Sequence, residues 1–243
     1  MAKIVLVHGI TESKHSWDPV VDRLATQHQV LAVDLPGHGS STSAGPFHLG
    51  SMAAAVFATM AEAGFDPAET VLVGHSLGGT VVSAMASAVP VRGVINVDQP
   101  LDLAGFQEGL RQLQPLLEGD RAAFETAISM VFDSMRGPLS ADETARIEAL
   151  RRPRQDVVLA VWTPVLHGSL DELNALVLSM AETIRAPYLS LHGINPGPDY
   201  GDWLKALIPT ATVEVWPDHG HYPHLVDPAR FVTHVDDFIV SLS

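Results

Sequence analysis

Three short runs of aliphatic residues in the first third of the chain, Ile4 to Val7, Val30 to Val33 and Val71 to Val73, are almost wholly apolar and show no alternation. A strand with one face in water alternates apolar and polar side chains, whereas a strand buried on both faces has no polar side to show. These runs therefore belong inside a sheet that is covered above and below. Helix-like segments separate them, Trp17 to Gln27 and Leu49 to Gly64, the second opening near Ser51 and stopping at Gly64. Strands joined by helical crossovers run parallel. The rhythm continues with a helix over Thr80 to Val89, strands over Gly93 to Val97, Pro187 to Leu191 and Thr212 to Trp216, and a last helix over Pro228 to Ser241. The pattern predicts an α/β fold, a doubly wound and mostly parallel six-stranded sheet with helices on both faces.

One segment departs from this rhythm. Between about residues 103 and 185 no strand pattern recurs; Phe106 to Leu117, Arg121 to Met135, Ala141 to Arg151 and Leu170 to Ile184 read as helices, punctuated by Pro138, Pro153 and Pro164. The expected organisation is a core made of residues 1–102 and 186–243, with residues 103–185 as a helical cap inserted over the strand ends, where such sheets bind ligands. A signal peptide is not expected, because the apolar run after Lys3 is too short and enters a strand. No stretch approaches the roughly 18 apolar residues of a membrane span. The longest, Met52 to Ala61, reads as a buried helix, and a soluble cytoplasmic protein is the expectation.

Composition narrows the chemistry. With 14 Lys and Arg against 28 Asp and Glu, the formal charge is -14, so nucleic acid is not an expected partner. The chain has no cysteine, which removes disulfides, thiolate nucleophiles, zinc-thiolate sites and iron-sulfur clusters together. It has 12 histidines, nearly as many as its lysines and arginines combined, and these need a place in any reading.

Gly74-His75-Ser76-Leu77-Gly78 follows an apolar strand directly and precedes a helix that starts near Gly79. This is G-x-S-x-G in strand-turn-helix context, where glycines allow a sharp turn that holds the serine in a strained conformation at a helix N-terminus. Without that chemistry the segment is a glycine-rich turn with an ordinary serine. Other motifs fall in a fixed order: Val7-His8-Gly9-Ile10 after the first strand, Trp17 beyond it, Asp34-Leu35-Pro36-Gly37-His38-Gly39-Ser40 after the second, and Gly220-His221-Tyr222-Pro223-His224 near the end. Together these resemble the α/β-hydrolase superfamily over the whole chain apart from the inserted segment. The antiparallel strands that precede the His-Gly loop in larger members are missing, so the chain resembles a minimal core.

The resemblance implies Ser76 as nucleophile and His221 as general base. The chemistry agrees, since a serine hydroxyl attacks an acyl carbon at neutral pH only when an imidazole takes its proton. His219 and His224 are the competing histidines; His224 is expected to hydrogen-bond within its own loop and His219 to be solvated. The backbone N–H groups of Ile10 and Leu77 are the expected oxyanion hole. No cofactor or metal is expected, because the three histidines between positions 219 and 224 lack a completing carboxylate pair or second histidine motif. The acid is where the chain departs from the family. The usual loop reads His192-Gly193-Ile194-Asn195-Pro196-Gly197-Pro198-Asp199, with Asn195 where a carboxylate is usual. Asp98, at the end of the preceding strand, is the expected acid; Asp199 and a weakened site built on Asn195 are the alternatives.

The inserted segment is rich in apolar side chains such as Phe106, Leu110, Phe124, Ile128 and Phe132. Most should pack internally and the remainder should roof the pocket. The expected activity is a serine hydrolase of small-molecule carboxylic esters or lactones with an apolar moiety, acting through an acyl-enzyme. A C–C bond hydrolase or lyase on the same fold, or a binding-only member with a vestigial triad, are the alternatives. The sequence gives no sign of oligomeric state.

Overall fold

The computed structural model describes residues 1–242; Ser243, the last residue of the expected core, lies outside the described residues. The chain runs β1 (Lys3–Val7), α1 (Asp18–Leu24), β2 (Gln29–Val33), α2 (Leu49–Glu62), β3 (Thr70–His75), α3 (Leu77–Ala88) and β4 (Gly93–Val97). Five helices follow, α4 (Ala104–Leu117), α5 (Arg121–Met135), α6 (Ala141–Leu150), α7 (Gln155–His167) and α8 (Leu170–Ala181). Then come β5 (Tyr188–His192), α9 (Tyr200–Leu207), β6 (Ala211–Val215), α10 (Pro223–Val226) and α11 (Pro228–Ser241). The six strands form one sheet in the order β2-β1-β3-β4-β5-β6, and every neighbouring pair is parallel. Among the described residues, no helix is long and apolar enough to cross a membrane.

The missing alternation in the strands has a direct cause. Val5, Val7, Leu72 and Val94 point into a cluster shared with α2, α3 and the inserted helices. Their strand neighbours Ile4, Leu6, Val71, Val73 and Ile95 point the other way, into a cluster with α1 and α11 built around Trp17, Trp216 and Phe231. Successive residues thus serve opposite faces, and both faces are dry.

Where β3 hands over to α3, backbone packs against backbone. A Cβ on Gly74 would overlap the carbonyl of Gly78, and one on Gly78 would overlap the carbonyls of Val7 and His8. The sequence placed the strand end at Val73 and the helix start at Thr80. The structure closes that gap: β3 continues to His75 and α3 starts at Leu77, leaving Ser76 alone between them with φ 51 and ψ -123.

All four helices read from the sequence of the inserted segment are present, and the fifth, α7, was not foreseen. Pro153 and Pro164 read as breakers, yet Pro164 lies inside α7. The buried face of Val157, Val158, Trp162, Val165 and Leu166 outweighs the one backbone hydrogen bond that proline removes.

Glycine contacts give a contrasting stability prediction. Gly78→Ala should lower the unfolding free energy by about 3 kcal/mol or more, because backbone atoms must move. Gly105→Ala and Gly109→Ala, on α4 with no atom within 4 Å of the added carbon, should each raise it by roughly 0.5–1 kcal/mol. Urea denaturation midpoints for the three variants check both directions.

Candidate active site

At the carboxyl ends of β3, β4 and β5 three expected residues come together. Ser76 is 9% exposed, His221 5% and Asp98 4%. Ser76 occupies the N-cap position of α3 with a positive φ, a conformation rare outside glycine that surrounding packing must impose. Its amide donates to the Val97 carbonyl at 3.0 Å, which ties this sharp strand-to-helix turn, the elbow, to the end of β4. Asp98 follows Val97, also with positive φ. One carboxylate oxygen accepts the amides of Gly193 and Ile194 at 2.8 and 3.0 Å. The other lies 2.7 Å from Nδ1 of His221.

His221 is held by its backbone as well. Its N–H donates to the Met135 carbonyl at 2.8 Å, at the end of α5. Its own carbonyl lies 2.7 Å from Nε2 of His75 and accepts that proton. Gly220 packs against the backbone of Gly137 so closely that a Cβ on either would collide with the other. The inserted segment therefore braces the histidine loop directly. Among the described residues Nε2 of His221 has no hydrogen-bond partner and is buried.

The other expected acids lie elsewhere. Asn195 is exposed and its Oδ1 accepts the Gly197 amide at 2.9 Å in a local turn. Asp199 is exposed at the start of α9. Neither is hydrogen-bonded to His221 among the described residues. The Leu77 amide opens α3 and has no carbonyl one turn earlier to bond. The Ile10 amide, after the His8-Gly9 turn, donates to no carbonyl among the described residues. Gly9 is what brings the two segments together: a Cβ there would sit 3.3 Å from that of Ser76.

Several histidines acquire a place. His8 Nδ1–H donates to the Gly9 carbonyl at 2.7 Å while Nε2 accepts the Leu35 amide at 3.1 Å, so a neutral ring pins the turn to the end of β2. His38 bonds the Pro36 carbonyl at 3.0 Å, and the half-buried His219 bonds the Pro217 carbonyl at 2.8 Å. His192 bonds Ser190 at 2.7 Å and its Nδ1 is 4.0 Å from Asp98. The expectation for His224 is corrected: both ring nitrogens are buried without a partner, because the ring packs between Trp17 and His75, at 4.5 and 4.6 Å between centroids. Sequence reasoning missed Glu12, Tyr222, His192 and the Met135 carbonyl; the signals were an acid three residues past Gly9 and the glycines at 137 and 220.

Burial sets the electrostatics. It pushes the Asp98 carboxyl up, but the hydrogen bond and charge of His221, with the Ile194 amide, outweigh it and hold the group below the usual carboxylate range. Burial lowers His221, and Asp98 opposes that only in part.

A model of the alpha/beta hydrolase family matches residues 4–234 of this chain. The chain belongs to that family. It is 30% identical over 259 residues to a pimeloyl-[acyl-carrier protein] methyl ester esterase of Yersinia enterocolitica, covering 97% of this chain and 92% of the relative. An esterase structure from Rhodococcus sp. ECU1013 superposes with a TM-score of 0.74 at 25% identity, over 100% of this chain and 91% of that one. The structure of a variant of AqdC, a protein of recognition and ring-cleavage of the Pseudomonas quinolone signal, in complex with its substrate superposes with a TM-score of 0.81 over 99% of this chain and 91% of that one. At 15% identity that likeness shows the fold alone. A member of this family with esterases among both its sequence and its structural relatives is an enzyme of the hydrolase class.

The buried histidines fix the sign of the acid response. Burial lowers His38 and His192 from the ordinary 6.5 to about 4, and His8, His221 and His224 are lowered for the same reason. Below 6.5 the unfolded chain takes up protons that the folded chain refuses, so stability is present at neutral pH and lost as pH falls. For His38 and His192 the loss is about 1.4 kcal/mol per pH unit each over that window. Urea midpoints should fall steadily from pH 7 to pH 4.5, and a flat profile would contradict this assignment of neutral rings.

Proposed function

We propose that this enzyme is a cofactor-independent serine hydrolase of carboxylic esters or lactones with an apolar moiety, working through an acyl-enzyme. The observation that carries the reading is the 2.7 Å contact between Asp98 and His221, both buried, beside a serine held at φ 51 at the head of α3. In this reading the Ser76 hydroxyl attacks the acyl carbon while Nε2 of His221 takes its proton. Asp98 holds the imidazole with Nδ1 protonated and balances the imidazolium that forms. The amides of Ile10 and Leu77 receive the developing oxyanion. When the tetrahedral intermediate collapses, His221 returns the proton to the leaving alcohol oxygen and the acyl group stays on Ser76. Water, deprotonated by His221, then attacks the acyl carbon; collapse releases the acid and restores the serine.

Residues 103–185 serve as the cap in this proposal, and their apolar side chains define the substrate. Leu110, Phe124, Ile128, Phe132 and Trp162 share one buried cluster with Ile10 and Leu77, the residues whose amides form the oxyanion hole. An acyl or alcohol group entering between them meets hydrocarbon. The esterase relatives support ester chemistry, and the contact of Asp98 with His221 supports a working triad in a chain that carries Asn195 at the usual acid position.

Four measurements test the reading. Wild type should hydrolyse p-nitrophenyl butyrate faster than a p-nitrophenyl ester with a charged acyl chain, and Ser76 should be labelled by a fluorophosphonate. Ser76→Ala should abolish both. Asp98→Asn should lower kcat by about 10⁴-fold, while Asp199→Asn and Asn195→Ala leave it within about twofold. Loss of turnover in Asp199→Asn with Asp98→Asn active would move the acid, and labelling without ester turnover would point to C–C cleavage.

A further inference from the structure

A second buried carboxylate, which the proposed hydrolysis does not use, lies beside the elbow. Glu12 is 2% exposed. The site that a Cβ on Gly9 would occupy is 3.1 Å from Nδ1 of His75, 3.3 Å from the Ser76 Cβ and 3.4 Å from Oε2 of Glu12, so the three side chains converge on the oxyanion turn. Oε1 of Glu12 accepts the Tyr222 hydroxyl at 3.0 Å. The Tyr222 oxygen in turn accepts from the guanidinium of Arg151, at the end of α6, at 2.9 Å. Oε2 of Glu12 and Nδ1 of His75 are both buried without a hydrogen-bond partner, and they face one another at 3.7 Å.

The proton on His75 can be followed by elimination. Its Nε2 is 2.7 Å from the His221 carbonyl, and a carbonyl only accepts, so Nε2 is protonated. With Glu12 ionised and Nδ1 bare, two buried acceptors would face one another at 3.7 Å, neither with a hydrogen-bond partner. A proton on Nδ1 removes that repulsion and gives Glu12 a cation. The other groups packed around the pair do not offer one at contact distance. His8 is neutral by its own hydrogen bonds, His221 is engaged with Asp98, His224 is kept neutral by burial, and Arg151 reaches Glu12 only through Tyr222.

We propose that Glu12 is a positioning residue whose carboxylate forms a buried ion pair with the His75 imidazolium, fixing the Nε2–H bond to the His221 carbonyl and thereby the seat of the base. Through Tyr222 and Arg151 the same carboxylate ties the inserted segment to the turn that carries Ile10, so that segment, the histidine loop and the turn share one anchor. The proposal rests on the roles assigned above to Ser76 and His221.

The test reads the proton directly. The full chain, labelled with ¹⁵N-histidine, is examined at pH 7.5 by long-range ¹H–¹⁵N correlation, with His75 assigned by its loss in His75→Asn. Wild type should show both His75 nitrogens protonated, and Glu12→Gln, which keeps shape and the tyrosine contact, should show only one. The same variant should lose about 10- to 100-fold in kcat on p-nitrophenyl butyrate with KM within about twofold, and Glu12→Asp should recover part of it. A neutral His75 in the wild type overturns the ion pair whether or not any variant folds. Unchanged kcat in Glu12→Gln overturns the positioning role. Absence of ester turnover by the wild type counts against the hydrolase reading, and the ion pair then stands or falls on the His75 signals alone.

Discussion

The site depends on one steric constraint, the contact of backbone with backbone where β1, β3 and α3 meet. Gly78 lies against the carbonyls of Val7 and His8, and Gly74 lies against Gly78 itself. Any side chain at these positions pushes α3 away from the sheet, and α3 carries both Ser76 at its N-cap and the Leu77 amide. The strained φ of Ser76 is a consequence: the chain must reverse from strand to helix in one residue while the helix stays seated. The Ile10 amide is aimed by the same contact, because the turn that carries it begins at the carbonyls Gly78 touches.

On that frame the protein buries charge rather than avoiding it. Asp98 and Glu12 are both nearly inaccessible. Asp98 is compensated by two amides and His221. Glu12 has a tyrosine hydroxyl at hydrogen-bond distance and His75 at ion-pair distance. Such groups are stable only when their partners stay in place, so the contacts that hold the histidine loop also set its electrostatics. The inserted helices take part, through the Met135 carbonyl on the His221 amide and Arg151 on Tyr222. A segment that reads as a roof for the pocket is also a wall of the site.

Much of this was legible in the chain. The six strands could be read because a strand dry on both faces has no polar residue to hide it, and Ser76 because its glycines adjoin such a strand. His221 was legible as one of three histidines in a loop, and Asp98 as a carboxylate at a strand end with the right chain order. The α7 helix was hidden by Pro153 just before it and Pro164 inside it, since local propensity counts the lost hydrogen bond and not the five buried side chains that compensate for it. His224 was misread for a similar reason: its surroundings, Trp17 and His75, are far away in sequence.

The sequence by itself determined the sheet, its parallel crossovers, the sharp turn at Ser76 and the chain order of Ser76, the candidate carboxylates and His221, because each is written in local pattern: periodicity, glycine spacing, position relative to a strand end. Only the tertiary structure decided which carboxylate meets the imidazole. Asp98, Asn195 and Asp199 are separated along the chain, and the choice among them is a matter of 2.7 Å in space. It also brought Glu12 to His75 and Gly137 to Gly220. Contacts of that kind join elements that share no local pattern, so they exist only once the helices have packed on the sheet.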